Sequence, residues 1–301
     1  MRGTGTRGTG IVGALTAFAC TVALVCAAVH ALAGCGSSAD TAKGTDASTA
    51  PSTAPSPNAS ASASDDASPS ANERAGANML FNGPDHWDGE VPNGCAAGKD
   101  VRIVIVRGTL ERAEGSSLET LAQSIGERIG GRASIDVLDY PASWKSGSEA
   151  RGVNMLIATL NAQARACPST KTALLGYSQG AMVVGDALSA PEARFNDDNG
   201  QSLSAQALAN IAVVELFGDP RFDASADYGA GSYDRSVDGI LGARDGDDLR
   251  ALQGRIVSYC NADDFACQLG GHDDAHGLYR SNGTFDEAVT FAVPRTEAAL
   301  K

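Results

Sequence analysis

One five-residue run, Gly176-Tyr177-Ser178-Gln179-Gly180, combines residue types and spacing suited to nucleophilic chemistry. It follows apolar residues fit for a strand (Leu174, Leu175) and precedes apolar residues fit for a helix (Ala181, Met182, Val183, Val184). A serine set between strand and helix, with glycine two positions away on each side, sits on a sharp turn that lifts its hydroxyl clear of the sheet. The glycines are needed because any side chain there would meet neighbouring backbone. The plain alternative is a glycine-rich turn carrying a solvated serine. A serine hydroxyl is a weak nucleophile until a base takes its proton, and the base needs an acid to orient it. The chain has four histidines. His30 lies in an N-terminal apolar run, and His86 precedes the first predicted strand with no partner nearby, which reads as a surface residue. His272 and His276 lie beyond the last predicted strand, where the order serine, acid, histidine places the base. Between Ser178 and these histidines runs Cys260-Asn261-Ala262-Asp263-Asp264-Phe265-Ala266-Cys267. A carboxylate on a loop closed by its own cysteines would have a fixed direction, as an orienting acid requires.

These residues need a scaffold, and the hydrophobic pattern supplies one. Val101 to Val106 is an apolar, β-branched run ending at Gly108, a buried strand. Ser116-Ser117-Leu118-Glu119 opens a helix with a capping-box pattern that runs to about Ile129. Further strands are expected over Ser134–Leu138, Thr172–Gly176, Ile211–Phe217 and Arg255–Tyr259. Helices are expected over Glu149–Ala166, Gly180–Leu188 and Thr284–Ala292, the last ending before Pro294. Strands alternating with helices make βαβ units, hence an α/β fold with a mostly parallel sheet covered on both faces. Pro191–Ser204 and Asp223–Asp248 fit no element, are rich in Gly, Asp and Ser, and read as surface excursions.

The N-terminus carries an address. Arg2 and Arg7 precede an apolar stretch from Ile11 to Ala33 that ends in Leu32-Ala33-Gly34-Cys35. That ending resembles a bacterial lipobox, in which the cysteine becomes the lipidated first residue of the mature chain. A plain cleaved signal or a membrane span are the other readings of the same stretch. Residues 35–77 are built almost wholly from Ala, Ser, Thr, Pro, Asp and Gly and cannot bury enough surface to offset their ordering entropy. A flexible tether of that kind has an r.m.s. reach of about 35 Å. The expected organisation is a signal over 1–34, the tether over 35–77 and one domain over 78–301. The localisation that follows is extracytoplasmic, held at the cell membrane through Cys35 or secreted. Four of the seven cysteines fall in the domain, Cys95, Cys167, Cys260 and Cys267. In an exported chain that even number is what two disulfides need, with three pairings open. Local pairing of Cys260 with Cys267 leaves Cys95 with Cys167.

Whole-chain charge narrows the partners. Asp plus Glu number 36 against 23 Lys plus Arg, a net charge of −13, which argues against nucleic acid. Aromatic residues are only 5%, which weighs mildly against a polysaccharide substrate.

Taken together, the serine run, the preceding Cys167, the C-x6-C loop carrying Asp264, and His276-Gly277-Leu278-Tyr279 resemble the cutinase family, which also contains acetylxylan esterases. Arg107-Gly108-Thr109-Leu110-Glu111 and Gly218-Asp219-Pro220 are further matches, in the right order from Cys95 to about Ala292. The resemblance implies an α/β-hydrolase-type three-layer sandwich with a five-stranded, mostly parallel central sheet and no large lid. It implies Ser178 as nucleophile, Asp264 as acid, His276 as base, and Thr109 and Gln179 at the oxyanion hole. It implies no metal and no organic cofactor. Expected substrates are short- to medium-chain esters, polyester, lipid esters or acetylated sugars, handled by a monomer. An acyltransferase and a non-catalytic module binding lipid or cell envelope are the alternative functions on the same fold. The chain departs from the family where Asp263 stands, a position that often carries Gly. Its spacing from Cys260 is one short, which favours Asp264; the H-x-x-Y context favours His276 over His272. The lipobox reading predicts that Cys35→Ser moves the protein from the membrane fraction to the soluble fraction with its activity intact. Fractionation with mass spectrometry of the mature N-terminus checks this.

Overall fold

Val101–Val106 forms β1, with every residue buried. A strand covered by helices on both faces needs apolar side chains on both, hence an apolar run broken only at Arg102, whose guanidinium pairs with Asp136 at 2.7 Å. Successive side chains enter opposite layers: Ile103 and Ile105 join one apolar cluster, Val104 and Val106 the other. The computed structural model describes residues 95–196, 200–245 and 247–301. The expected signal 1–34, lipidated Cys35 and tether 35–77, with His30 and His86, lie outside the described residues.

After β1 come α1 (Glu119–Arg128), β2 (Ala133–Val137), α2 (Ser148–Ala166), β3 (Lys171–Tyr177) and α3 (Gln179–Leu188). They are followed by α4 (Ala205–Asn210), β4 (Ile211–Phe217), β5 (Gly229–Ala230), β6 (Ile256–Tyr259), α5 (Asp273–His276) and α6 (Thr284–Ala299). The strands pair in the order β2-β1-β3-β4-β6-β5, and every pair is parallel. Leu156 and Ile157 of α2 and Val183 and Val184 of α3 cover one face; Leu121 and Ile125 of α1 and Ala288 and Ala292 of α6 cover the other. The result is an α/β three-layer sandwich. No helix of the described residues is long and apolar enough to cross a membrane.

Among the described residues the sheet has six strands, one more than the expected five. The sixth, β5, is two residues long, too short to carry any periodicity. It lies inside the Asp223–Asp248 stretch, which is sewn to the body rather than looping away. Gly239 N donates to Phe222 O, Leu241 N to Pro220 O and Arg244 N to Arg221 O, each at 2.9 Å. Arg244 is fully buried and donates to Asp219 at 2.6 Å and Asp186 at 2.7 Å. Burial pushes the Asp186 carboxyl up, but the Arg244 and Arg221 charges and the Phe195 N–H outweigh it and hold it below the usual range.

Two helix ends also differ from expectation. Ser116 does not cap α1; Leu118 stands at the N-cap, and Glu119 accepts the Gly115 N–H at 3.0 Å instead. Helix α6 does not stop before Pro294 but carries it inside and runs to Ala299. A proline there removes one backbone donor. Contacts beyond it offset the loss: Arg295 donates to Gly254 O at 2.6 Å, Thr296 is fully buried, and within the helix Arg295 lies 3.4 Å over the Phe291 ring.

Glu215 is an exception to the apolar core. It sits on β4, is fully buried, and neither carboxyl oxygen has a hydrogen-bond partner among the described residues. Burial pushes its carboxyl well above the usual range, and the Arg295 charge opposes this only in part. The folded protein therefore carries the group uncharged across pH values at which the unfolded chain, near 4.3 by reference values, ionises it. Stability is undiminished below about pH 4 and falls as pH rises toward the folded value. Glu215→Gln cannot ionise in either state, so its melting temperature should match the parent near pH 4 and exceed it progressively toward pH 8. Thermal denaturation of both proteins across that range is the check.

Candidate active site

Parallel strands place their C-terminal ends along one edge of the sheet, and the serine run begins where β3 reaches that edge. Ser178 adopts φ 54 and ψ −122, a positive φ that a side chain rarely takes, directly before α3. Its N–H donates to Phe217 O at 2.8 Å, and its carbonyl accepts from Ala181 N at 2.9 Å and Met182 N at 3.2 Å. The turn is possible because residue 180 lacks a side chain: a Cβ on Gly180 would stand 1.9 Å from Val106 O and 2.7 Å from Arg107 O. That contact presses the end of β1 against the start of α3. Thr109 and Gln179 therefore lie on two adjoining segments.

The Gln179 side chain is engaged away from any reacting atom. Its amide donates to Ser143 O at 3.1 Å and its oxygen accepts from Ser148 at 3.2 Å. Its backbone N–H, at the helix start, has no partner among the described residues. Helix N-termini favour negative charge. Thr109 is half-buried in a turn pinned on both sides. Arg107 donates to Leu138 O at 3.1 Å and Tyr140 O at 2.5 Å, and Glu111 accepts from Gly108 N at 2.7 Å and Ser117 N at 2.9 Å. Leu110 N completes the pinning on Ala142 O at 2.6 Å.

β6 ends at Tyr259, and the disulfide Cys260–Cys267 closes the loop that follows. Asp264 on that loop is 0% exposed, whereas Asp263 is exposed and has φ 62. That left-handed conformation is one that glycine adopts without strain. Asp264 Oδ1 lies 2.8 Å from His276 Nδ1 and accepts the Ala266 N–H at 2.8 Å; Oδ2 accepts the Tyr279 hydroxyl at 2.5 Å. His272 is exposed; it pairs through its backbone with the Asp263–Phe265 segment and does not touch the acid with its ring.

The His276 ring is held by packing as well. It stacks on Tyr177 with centroids 4.9 Å apart, meets Phe265 edge-on at 4.8 Å, and its carbonyl accepts the Tyr177 hydroxyl at 3.0 Å. Burial pushes the Tyr177 phenol above its usual range, and the Glu111 and Asp264 charges add to this, so it remains a donor. Gly218 after β4 backs onto the pair at φ 60; a Cβ there would lie 2.8 Å from His276 Cε1 and 2.9 Å from Asp264 Oδ2. Asp264 and His276 are thus joined directly. Ser178 reaches His276 through its neighbour Tyr177, with no hydrogen bond between serine Oγ and the ring in this structure. Catalytic hydrogen bonds in ligand-free sites are often long and tighten with substrate. A serine on a strained turn, an imidazole with Nδ1 committed to a buried carboxylate, and free N–H groups at a helix start can perform acyl transfer.

Tyr177, Phe265, Tyr279 and Gly218 were not assigned roles from sequence. Only the H-x-x-Y spacing and the G-D-P run pointed toward the last two. Among the described residues no cluster of His, Cys, Asp or Glu is arranged to hold a metal. A wide polar groove of about 1100 Å³ lies along β5 and β6, bordered by Asp223, Tyr228, Arg235 and Arg295, and includes none of Thr109, Ser178, Gln179, Asp264 and His276.

Comparison with known proteins identifies the family and the fold. The family model for cutinase matches residues 97–296. Carboxylesterase Culp1 of Mycobacterium tuberculosis is 28% identical over 203 residues, covering 66% of this chain and 83% of its own. Acetylxylan esterase 2 of Talaromyces purpureogenus is 29% identical over 185 residues, covering 59% of this chain and 72% of its own. Among solved structures, an acetylxylan esterase superposes with a TM-score of 0.57 at 24% identity, covering 68% of this chain and 100% of its own, a likeness of fold.

The two disulfides make a test of how the acid is held. Cys95–Cys167 spans 72 residues and Cys260–Cys267 spans 7. Chain entropy assigns them roughly 4 and 2 kcal/mol of stability. Replacing Cys260 and Cys267 by Ser should lower kcat by about 10²-fold, the scale of a misplaced group, with a small fall in Tm. Replacing Cys95 and Cys167 should lower Tm mainly. Kinetics and thermal melts of the two double variants, side by side, are the check.

Proposed function

Because the chain belongs to the cutinase family, whose named relatives are carboxylic ester hydrolases, we propose that it cleaves esters through an acyl-enzyme on Ser178. The observation that carries this reading is the 2.8 Å contact of Asp264 Oδ1 with His276 Nδ1 beside a serine held at positive φ. With Nδ1 donating to the carboxylate, Nε2 is left as the base. It takes the Ser178 proton as Oγ adds to the ester carbonyl. The oxyanion forms at the start of α3, where the Gln179 N–H and the Thr109 segment converge; a donor so placed is typically worth about 10²–10³ in rate. His276 returns the proton to the leaving alcohol. It then takes one from water, whose oxygen attacks the acyl carbon, and gives that proton to Ser178 Oγ as the acyl–serine bond breaks and the acid leaves.

The substrate class we assign is short- to medium-chain carboxylic esters, with polyester and lipid esters included. We assign the site of action to the outside of the cell, with Cys35 as the lipid attachment and 35–77 as the tether that lets the domain reach its substrate.

Ser178→Ala should lower kcat on a p-nitrophenyl ester by on the order of 10⁴–10⁶-fold and leave Tm unchanged. A fluorophosphonate probe should label the parent at Ser178 and leave the variant unlabelled. A variant that keeps most of its turnover would sink the assignment.

A further inference from the structure

A buried carboxylate needs a donor for each oxygen, and Asp264 obtains them from three separate segments. Oδ1 is shared by the His276 ring and the Ala266 N–H. Among the described residues Oδ2 has a single hydrogen-bond donor, the hydroxyl of Tyr279, three residues beyond His276 in the short turn Leu278–Arg280. The direction of that proton is settled by its surroundings. Tyr279 Oη itself accepts the Asn261 N–H at 3.2 Å and lies 3.6 Å from Cys267 Sγ, so the carboxylate is the acceptor left for its hydrogen. Asn261 is in turn fixed, donating to Ala275 O at 3.0 Å and accepting from Asn282 at 2.8 Å. The phenol ring is 2% exposed and wedged edge-on against Phe217 and Tyr177.

From this geometry we infer that Tyr279 is a positioning residue for ester hydrolysis, acting through Asp264: its hydroxyl keeps the carboxylate from turning and keeps its charge directed at His276. The inference rests on the triad reading given above. A donor to the ionised form of an acid favours that form. Burial pushes the Tyr279 phenol well above its usual range and the Asp264 charge adds to this, so the group remains a donor throughout the working range. The titratable groups facing the acid are His276 from α5, Tyr279 from the turn after it, and Tyr177 from the end of β3, with His272 paired through its backbone.

The test is Tyr279→Phe, which keeps the ring contacts and removes one hydrogen bond. The expected result is a fall in kcat of about 10- to 100-fold, the scale of a hydrogen bond to a charged group, with KM little changed. The acid limb of kcat/KM against pH should move upward by roughly one unit, because the Asp264–His276 pair takes up a proton more readily once a donor is gone. The downfield NMR resonance of the proton between His276 and Asp264 should shift or broaden. A merely structural tyrosine would lower Tm and leave the acid limb and that resonance in place, and such a result overturns the inference. If the phenylalanine variant does not fold, 3,5-difluorotyrosine placed at position 279 makes a stronger donor and should move the acid limb downward; an unmoved limb overturns the inference. Labelling of the unaltered enzyme by a fluorophosphonate, run alongside, separates the two claims. Failure to label at Ser178 sinks the functional reading and this inference with it, whereas labelling with an unmoved limb sinks this inference alone.

Discussion

A side chain held at φ 54 costs on the order of 1–3 kcal/mol and persists only where the surroundings over-determine it. Ser178 is over-determined from both directions. Upstream, β3 lies between β1 and β4 in the middle of the sheet and cannot slide without breaking two ladders. Downstream, α3 is buried along nearly its whole length. The chain must pass from one to the other within a residue, and the contact of Gly180 with the carbonyl end of β1 leaves a single route. The raised, half-buried serine and the free N–H groups beside it follow from that closure. The strain that raises the serine and the donors that would meet an oxyanion are thus one feature of the fold.

A second constraint meets the first across the sheet edge. Taking an unpaired carboxylate out of water is expensive, so a fully buried Asp264 dictates what surrounds it. The loop after β6, the turn holding Tyr279 and the four-residue helix ending in His276 each supply one donor. Short irregular segments of this kind have little stability of their own. The Cys260–Cys267 bridge and the aromatic ring contacts of Tyr177, Phe217 and Tyr279 supply it.

Elements with a strong local signal were legible in the sequence. The apolar runs of β1 and β4 match Val101–Val106 and Ile211–Phe217 residue for residue, because strands buried on both faces leave a nearly continuous apolar record, here broken once in each strand, at Arg102 and Glu215. Features whose cause is remote were not legible. β5 is two residues with no pattern, and Arg244 sits in a polar, glycine-rich run that gives no hint that two distant aspartates await it. Pro294 reads locally as a stop, yet beyond it Arg295 finds a distant acceptor in Gly254 O and Thr296 is buried against the body, which carries the helix onward. Glu215 carries no local sign that it stays uncharged, since that depends on the burial of the layer above it. In the site, residue types marked Ser178, Asp264 and His276, while the roles of Tyr177 and Tyr279 depend on where their hydroxyls end, which spacing alone does not reveal.

The Asp223–Asp248 stretch supports the site in two ways, and the first is direct: Ile240 N donates to Ala266 O and Ala262 N to Ser232, both at 2.9 Å, on the loop that carries Asp264. Gly218 packs against both His276 and Asp264, and its neighbour Asp219 is gripped by Arg244 from that stretch. Asp219 also accepts the Arg221 N–H at 2.9 Å, and Arg221 and Arg244 share Asp186 on α3, the helix that begins at the serine. A charge network this deeply buried, with Arg221 at 11% its most exposed member, holds its geometry tightly, because breaking a buried pair strands a charge at a cost of about 3–5 kcal/mol. It therefore ties the turn behind the imidazole to the helix behind the nucleophile. The serine and the histidine come from segments about a hundred residues apart, and this network is a rigid connection between their supports that does not run through the reacting groups.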